Sequence, residues 1–346
     1  MISLLLVNYR SASLAIDAIQ SARAATAFAL QVVVVENSAD AAEADRLRAS
    51  ADVLVTPPTN LGYAGGINAG RPHCTGDVII ISNPDVIFSP GSIDELIHAM
   101  TDRNAAVAGP ALYWDNAHSW MLPPSELHTA TEKLDEALAT RSRWWAQARD
   151  RRRMAGRLWF WSLQDAVQSR AISGAIMAVR AADLDAAGGF DERFPLYFEE
   201  NDFLRRIASD RKRILYVPTA RCRHLYNQSA GDERARAALI YAESEMRYLT
   251  KWYGATVARF LKRIERAANP PSHSRIDGPV PVPAGDVFIE ASPLPSFETA
   301  AGHFPATRNV DVPPEVWSSY RSEELYFRVV DRKSLRVLAT YARYRT

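Results

Sequence analysis

Residues 196–206, LYFEENDFLRR, set Glu199, Glu200, Asn201 and Asp202 between Tyr197, Phe198 and Phe203. Carboxylates beside aromatic walls are costly to ionise unless a proton, a cation or a hydrogen bond compensates. A carboxylate held this way suits proton abstraction from a hydroxyl, provided it lies within hydrogen-bond reach of it. The alternative is structural: acids in the first turn of a helix gain about 0.3–1 kcal/mol each from its dipole. Neighbouring acids and aromatic walls raise the affinity for a proton, and a helix start lowers it. The sequence leaves that balance open.

A second group of polar residues follows apolar runs. Asn8 ends ISLLLVN, Glu36 and Asn37 end QVVVVEN, and Asn83 and Asp85 follow DVIII within SNPDV. An aspartate after a strand often only caps the next turn, so Asp85 gains weight from the other acids. No glycine precedes Gly62, which excludes a dinucleotide fingerprint or P-loop after the first strand. NLGYAGGINAG (60–70) lacks the Gly-Lys-Ser/Thr of a Walker loop. Its small residues let a helix approach a ligand or the sheet closely, and Asn68 is a candidate for ribose or phosphate contact. A diphosphate bound here needs another source of positive charge, and a divalent cation held by carboxylates is the direct substitute.

These residues need a frame. Residues 2–8, 31–37, 51–57 and 77–83 read as buried parallel strands, with helices over 12–25 and 92–103. Such alternation predicts an α/β sheet with its ligand beyond the carboxyl ends of the strands. Further on, 171–180 and 213–218 read as strands. Helices are expected up to residue 187, from the acidic run onward, and over 233–254. The 346 residues carry a formal charge of +1, which gives no case for nucleic-acid binding, and two cysteines, which point to a reducing cytoplasm. The apolar start is too short for a signal peptide or a membrane span.

The ordered series VNYR, VVVVENS, NLGYAGGINAG, SNPDV, SGAIMAVR, GGFDERFPLYFEENDF and CRHLYNQS resembles family 2 glycosyltransferases of the GT-A fold, in the manner of bacterial rhamnosyltransferases, over about residues 1–250. The resemblance implies a Rossmann-like, mixed, mostly parallel sheet flanked by helices, with a C-terminal extension. It also implies inverting transfer of a sugar from a nucleoside diphosphate, dTDP or UDP, to a hydroxyl of a glycan or lipid-linked acceptor, with Mn²⁺ or Mg²⁺. Glu36 then stands where the family has an Asp at the nucleobase imide. Asn83 and Asp85 fall on the Asp-x-Asp motif, with Asn83 suited to ribose and Asp85 to the metal. His224 matches the histidine that completes the metal site in some members. Glu200 takes the place of the general base, one methylene longer than the usual Asp. Asp191 is implied to lie beside the acceptor and Gly174 beside the donor sugar, while Asp202 orients its helix or binds acceptor. A nucleotidyltransferase, or a silent sugar-nucleotide-binding module, is the alternative.

The expected division is residues 1–110 for the nucleotide sugar, 111–255 for the acceptor with a helical insertion at 125–165, and 256–346 as a proline-rich arm. Ten of the twenty prolines fall in 270–314, which argues for an extended segment that covers the acceptor groove or exchanges between subunits of a homo-oligomer. LYFRVVD and SLRVLATYARY then read as a strand and a helix docking back. Residues 141–161 hold seven arginines, four tryptophans and one acid. They read as a solvated helix with core-facing aromatics, or as a surface for anionic head groups at the inner membrane face.

Overall fold

A computed structural model describes residues 1–225, 234–265 and 273–345. The last part of CRHLYNQS, Glu233, Pro270 and Pro271 lie outside the described residues. In chain order the first elements are β1 (Ile2–Asn8), α1 (Ala12–Ala24), β2 (Leu30–Glu36), α2 (Ala41–Leu47), β3 (Val53–Val55), α3 (Gly62–Gly70), β4 (Val78–Ser82), β5 (Val86–Phe88), α4 (Ser92–Asp102) and β6 (Val107–Tyr113). They are followed by α5 (Ala130–Ala139), α6 (Arg143–Trp161), β7 (Val167–Gln168), β8 (Ile176–Arg180), α7 (Ala181–Ala186), α8 (Glu199–Ser209), β9 (Ile214–His224), α9 (Arg234–Tyr253) and α10 (Ala255–Ile264).

One sheet runs β3-β2-β1-β4-β8-β6-β9-β5, with β7 on β9. β1 is parallel to β2 and β4, and β6 to β9, while β8 is antiparallel to both its neighbours. This is the mixed GT-A sheet that the motifs implied. Both faces are covered, so the central strands are apolar at every step rather than alternating. Leu4 and Leu6 pack with Ile19 of α1 and Leu96 of α4. Leu5 and Val7 pack on the opposite face with Ile67 of α3 and Phe203 of α8. Parallel register lines up the polar strand ends, with Asn8 opposite Glu36.

Of the β6–β9 pair, only residues 213–218 were legible in the sequence as a strand. Its register slips where Pro110 of β6 meets the stretch of β9 containing Pro218. Neither proline has an N–H to offer the ladder, and a bulge accommodates both.

The C-terminal segment is not the expected arm. It forms β10 (Ser274–Arg275), β11 (Val280–Pro281), β12 (Val287–Ser292), β13 (Ala301–His303), β14 (Asn309–Val310), α11 (Pro314–Ser319), β15 (Glu324–Asp331) and β16 (Val337–Tyr344). Five of these strands make a second sheet in the order β10-β16-β15-β12-β13. β12 is buried throughout, and the prolines nearest it, Pro283 and Pro293, lie outside the strand instead of interrupting it. The expected terminal helix is instead β16, antiparallel to β15. Its Val337, Thr340, Tyr341 and Tyr344 suit a pleated surface. Met121 pairs through its backbone with Tyr113 of β6 and Gly302 of β13, joining the two sheets.

The arginine-rich α6 docks against this second sheet. Arg157 Nε lies 2.8 Å from Glu290 Oε1, Arg328 bonds the other Glu290 oxygen, and Arg328 also binds both oxygens of Asp150 at 2.9 and 3.0 Å. Glu290 is completely buried. Removing one member of such a network strands the others without a counter-charge, a loss of about 3–5 kcal/mol. Glu290→Ala is therefore expected to lower the urea midpoint by a corresponding amount, and an unchanged midpoint contradicts this reading.

Candidate active site

Tyr197 and Phe198 enter α8 with φ of 66° and 68°, left-handed values at residues with side chains. Such backbone costs on the order of 1–3 kcal/mol per residue and persists only where packing enforces it. Phe198 supplies that packing, with His128, Tyr241 and Tyr248 rings at centroid distances of 4.9, 5.1 and 5.4 Å. The turn directs Glu199, Glu200 and Asn201 inward.

Among the described residues, Glu199 Oε2, Glu200 Oε2 and Asn201 Oδ1 are sealed from solvent without a hydrogen-bond partner. Asn201 Nδ2 donates to the other Glu200 oxygen at 3.1 Å. The stalk of Glu200 lies over Gly174, where a Cβ would come within 3.0 Å of Glu200 Cγ. The Tyr63 hydroxyl, carried in by α3, reaches the Gly174 carbonyl at 3.4 Å.

Burial raises the proton affinity of both glutamates. Glu199 is held well above the ordinary carboxylate range by desolvation and then by the charge of Glu200. Glu200 is also raised by desolvation, partly offset by backbone N–H groups at the helix start and by Asn201. Burial pushes the Tyr63 phenol up, and the fields of Glu199, Glu200 and Asp85 push it further, so three acids converge around this hydroxyl.

Antiparallel pairing of β5 with β9 sets Val86 opposite His224 and brings Asp85 Oδ1 to 3.3 Å from His224 Nε2. Burial works against ionisation of Asp85, but the charge and hydrogen bond of His224 prevail and hold its carboxyl below the ordinary range. Two ligands on adjacent corners of an octahedral Mg²⁺ or Mn²⁺ site, each about 2.1 Å from the ion, lie about 3 Å apart. The 3.3 Å separation of the pair would suit two ligands of such a cation. Among the described residues no group of three potential ligands forms.

The other anticipated residues divide by what already holds them. Asn83 sits half-buried at the strand mouth, its backbone N–H bonded to Ala175 O at 2.8 Å. Glu36 accepts from Ser38 N at 3.0 Å, from the Ser38 hydroxyl, and from Asp40 N at 3.2 Å, so it shapes its own loop. Asn8 is fully buried and bonds Glu43 and Ser11 at 3.1 and 2.9 Å, which ties β1 to α1 and α2.

Asn68, expected at ribose or phosphate, is held by protein partners. Its amide clamps Phe190, donating to the carbonyl at 2.8 Å and accepting from the N–H at 2.9 Å, and it donates to Glu192 at 2.9 Å. Asp191 is gripped by Arg193 at 2.6 Å and Lys251 at 2.8 Å, which hold its carboxyl far below the usual range. Asp202 is inaccessible to solvent and bonds Arg206, Lys251 and Trp252 at 2.9, 2.6 and 2.9 Å. It anchors α8 to α9, as the helix-orienting alternative for Asp202 expected. Tyr63 was missed, although it is the one large polar side chain within the glycine-rich run. Both cysteines are buried and free, with thiols pushed up to about 11 at Cys74 and about 12 at Cys222.

The family model for glycosyltransferase like family 2 matches residues 2–241, and the chain belongs to that family. It is 27% identical over 213 residues to N-acetylglucosaminyl-diphospho-decaprenol L-rhamnosyltransferase of Mycobacterium tuberculosis, a match covering 57% of this chain and 66% of that protein, just short of two thirds. Among solved structures it is similar to a mannosyltransferase of Pyrobaculum calidifontis in complex with GDP-Man and Mn²⁺, at 14% identity and TM-score 0.47 over 75% of this chain and 73% of that one. It is also similar to S. aureus TarS residues 1–349, at 12% identity and TM-score 0.45 over 72% of each chain.

Two outcomes follow from the packing around Glu200. Gly174→Ala is expected to displace the Glu200 stalk and cut turnover by up to about 100-fold while the fold is retained; wild-type turnover contradicts it. Glu199 binds its proton more tightly folded than unfolded, so ionising it costs stability as pH rises through the folded value. Glu199→Gln is thus expected to raise the melting temperature at alkaline pH, with the gain vanishing as pH falls toward the ordinary glutamate value of about 4.3. A gain independent of pH would exclude that explanation.

Proposed function

We propose that this family member transfers rhamnose or a similar deoxyhexose from a dTDP- or UDP-linked donor to a hydroxyl of a glycan or lipid-linked acceptor, with inversion at the anomeric carbon. The carrying observation is Glu200 Oε2, a sealed oxygen with raised proton affinity and no hydrogen-bond partner among the described residues. Its counterpart is the Asp85–His224 pair at the strand mouth. The name of the mycobacterial relative specifies an L-rhamnosyltransferase and a diphospho-decaprenol substrate, which supports a deoxyhexose and a lipid-linked acceptor. The reading places the chain in cell-surface polysaccharide synthesis, in the cytoplasm at the inner membrane face.

In the proposed reaction the acceptor oxygen bonds to C1 of the donor sugar from the face opposite the leaving group. The C1–oxygen bond to diphosphate breaks, and that oxygen leaves with the bonding pair. Glu200 Oε2 takes the acceptor proton. Its elevated proton affinity suits this role, because a base works best when its pKa approaches the operating pH. Asn201 fixes the carboxylate through its other oxygen, and Gly174 leaves space for the stalk. Asp85 and His224 would hold Mn²⁺ or Mg²⁺, which neutralises charge on the departing diphosphate when bound. Asn83 faces the ribose in this arrangement, and Glu36 meets the base with whatever accepting capacity its own loop leaves.

Glu200→Gln is expected to lower turnover about 10²–10⁴-fold, measured as nucleoside diphosphate release, with donor affinity nearly unchanged. Retained turnover in that variant removes Glu200 as the base. Asp85→Ala and His224→Ala should reduce the thermal stabilisation by dTDP or UDP that depends on added Mn²⁺, since a ligand specific to the native state stabilises it in proportion to its occupancy. Stabilisation equal to wild type with and without metal means that the cation binds elsewhere.

A further inference from the structure

Most arginines of α6 are engaged with neighbouring elements, but one face of the helix is turned outward. Trp144 and Trp159 are 70% and 60% exposed, and between them Gln147, Arg151, Arg152 and Ala155 are exposed. Trp144, Arg151, Ala155 and Trp159 recur at i, i+7, i+11 and i+15, a spacing that sets them along one stripe. Fifteen residues of helix separate the two indoles by about 22 Å. The single acid of α6, Asp150, is bound to Arg328.

A neighbouring turn extends the charge. Arg151 donates to the Ser334 carbonyl at 2.9 Å, which seats the β15–β16 turn beside this stripe. The turn exposes Arg332, Lys333 and Arg336. Its own acid, Asp331, is occupied in capping Ser334 at 2.7 and 2.6 Å. Arg152 is paired with Asp135 at 2.7 Å and Arg332 with Asp286 at 3.0 Å, so the excess positive charge of this surface comes from Arg151, Lys333 and Arg336, beside two exposed indoles. Indole rings combined with basic heads match the boundary between anionic head groups and acyl chains. Among the described residues no helix is long and apolar enough to cross a membrane, so contact of this kind lies in the interface plane.

We propose that the outward face of α6 and the β15–β16 turn form a docking surface for an anionic lipid bilayer. The same helix also reaches toward the candidate site. Phe160, next to Trp159, stacks on Tyr216 at 4.0 Å, and the two line a cleft shared with Leu122, Ile172 and Ser173. Ser173 adjoins Gly174, against which Glu200 packs. The surface rests on its own chemistry and draws its purpose from the lipid-linked acceptor proposed above.

Flotation with phosphatidylcholine vesicles, with and without phosphatidylglycerol, tests it. The intact chain is expected to float with the anionic vesicles and to detach at high salt. The double variant Trp144→Ala, Trp159→Ala and the separate double variant Lys333→Ser, Arg336→Ser should each weaken binding by roughly an order of magnitude. The second pair lies in an exposed turn, so it remains informative if the first perturbs folding. No flotation with anionic vesicles, or binding unchanged in both variants, overturns the proposal. So does a dimer that the tryptophan variant converts to monomer without any lipid binding, since the face is then a contact between copies. Turnover of a detergent-solubilised acceptor separates the two claims. Turnover without vesicle binding removes this surface alone, and vesicle binding without turnover removes the transferase reading alone.

Discussion

The site depends on an unfavourable burial. Glu199 and Glu200 are adjacent acids withdrawn from water at the mouth of a sheet, and both resist ionisation as a result. Something must hold them there, and the supports are the partners of Asp202, further along the first turn of α8. Lys251 joins Asp202 to Asp191, Arg206 returns to Asp202 from one turn later, and Trp252 adds a third donor to Asp202. Those acids are fully matched by cations, so α8 is fixed by one set of carboxylates while the neighbouring set stays unmatched. The aromatic shell around Phe198 enforces the left-handed entry into α8.

The same separation of roles runs through the rest of the chain. Asn68, within the glycine-rich segment, and Asn37, just after β2, hold loops. Asn68 fixes the Phe190 backbone, and Asn37 binds Asn60, Leu61 and Gly62. Tyr63 is thereby brought into contact with the Gly174 carbonyl. On the far side, the second sheet fastens α6 through Glu290, Arg157 and Arg328. That fastening uses Arg157, while Asp135, Glu298 and Glu126 pair with Arg149, Arg152 and Arg153, so what is left outward of the charge in residues 141–161 is a smaller indole and arginine face.

The parallel half of the sheet was legible because its strands are buried on both faces, which leaves runs such as VVVV and VIII without a helical period. The acidic run and SNPDV were legible by residue type. Of the β6–β9 pair only 213–218 was legible as a strand, and Pro110 and Pro218 prove to mark a bulge. The proline density of 270–314 misled, since the prolines delimit short strands and β12 lies between them. Side-chain partners were the least legible. Asn8, Asn68, Asp191 and Asp202 have the chemistry of ligand contacts, yet each is satisfied by groups distant in sequence, such as Glu43, Phe190 and Lys251, which only the folded chain brings near.

The central claim is that desolvation makes Glu200 a base with raised proton affinity. The pH dependence of kcat/KM tests it most directly, because its acid limb reports the free enzyme's essential base. The account predicts that activity rises with pH through an apparent value clearly above the ordinary glutamate figure of about 4.3, and that Glu199→Gln, which keeps a neutral neighbour there, leaves this limb above that figure. An acid limb at or below the ordinary value would contradict it.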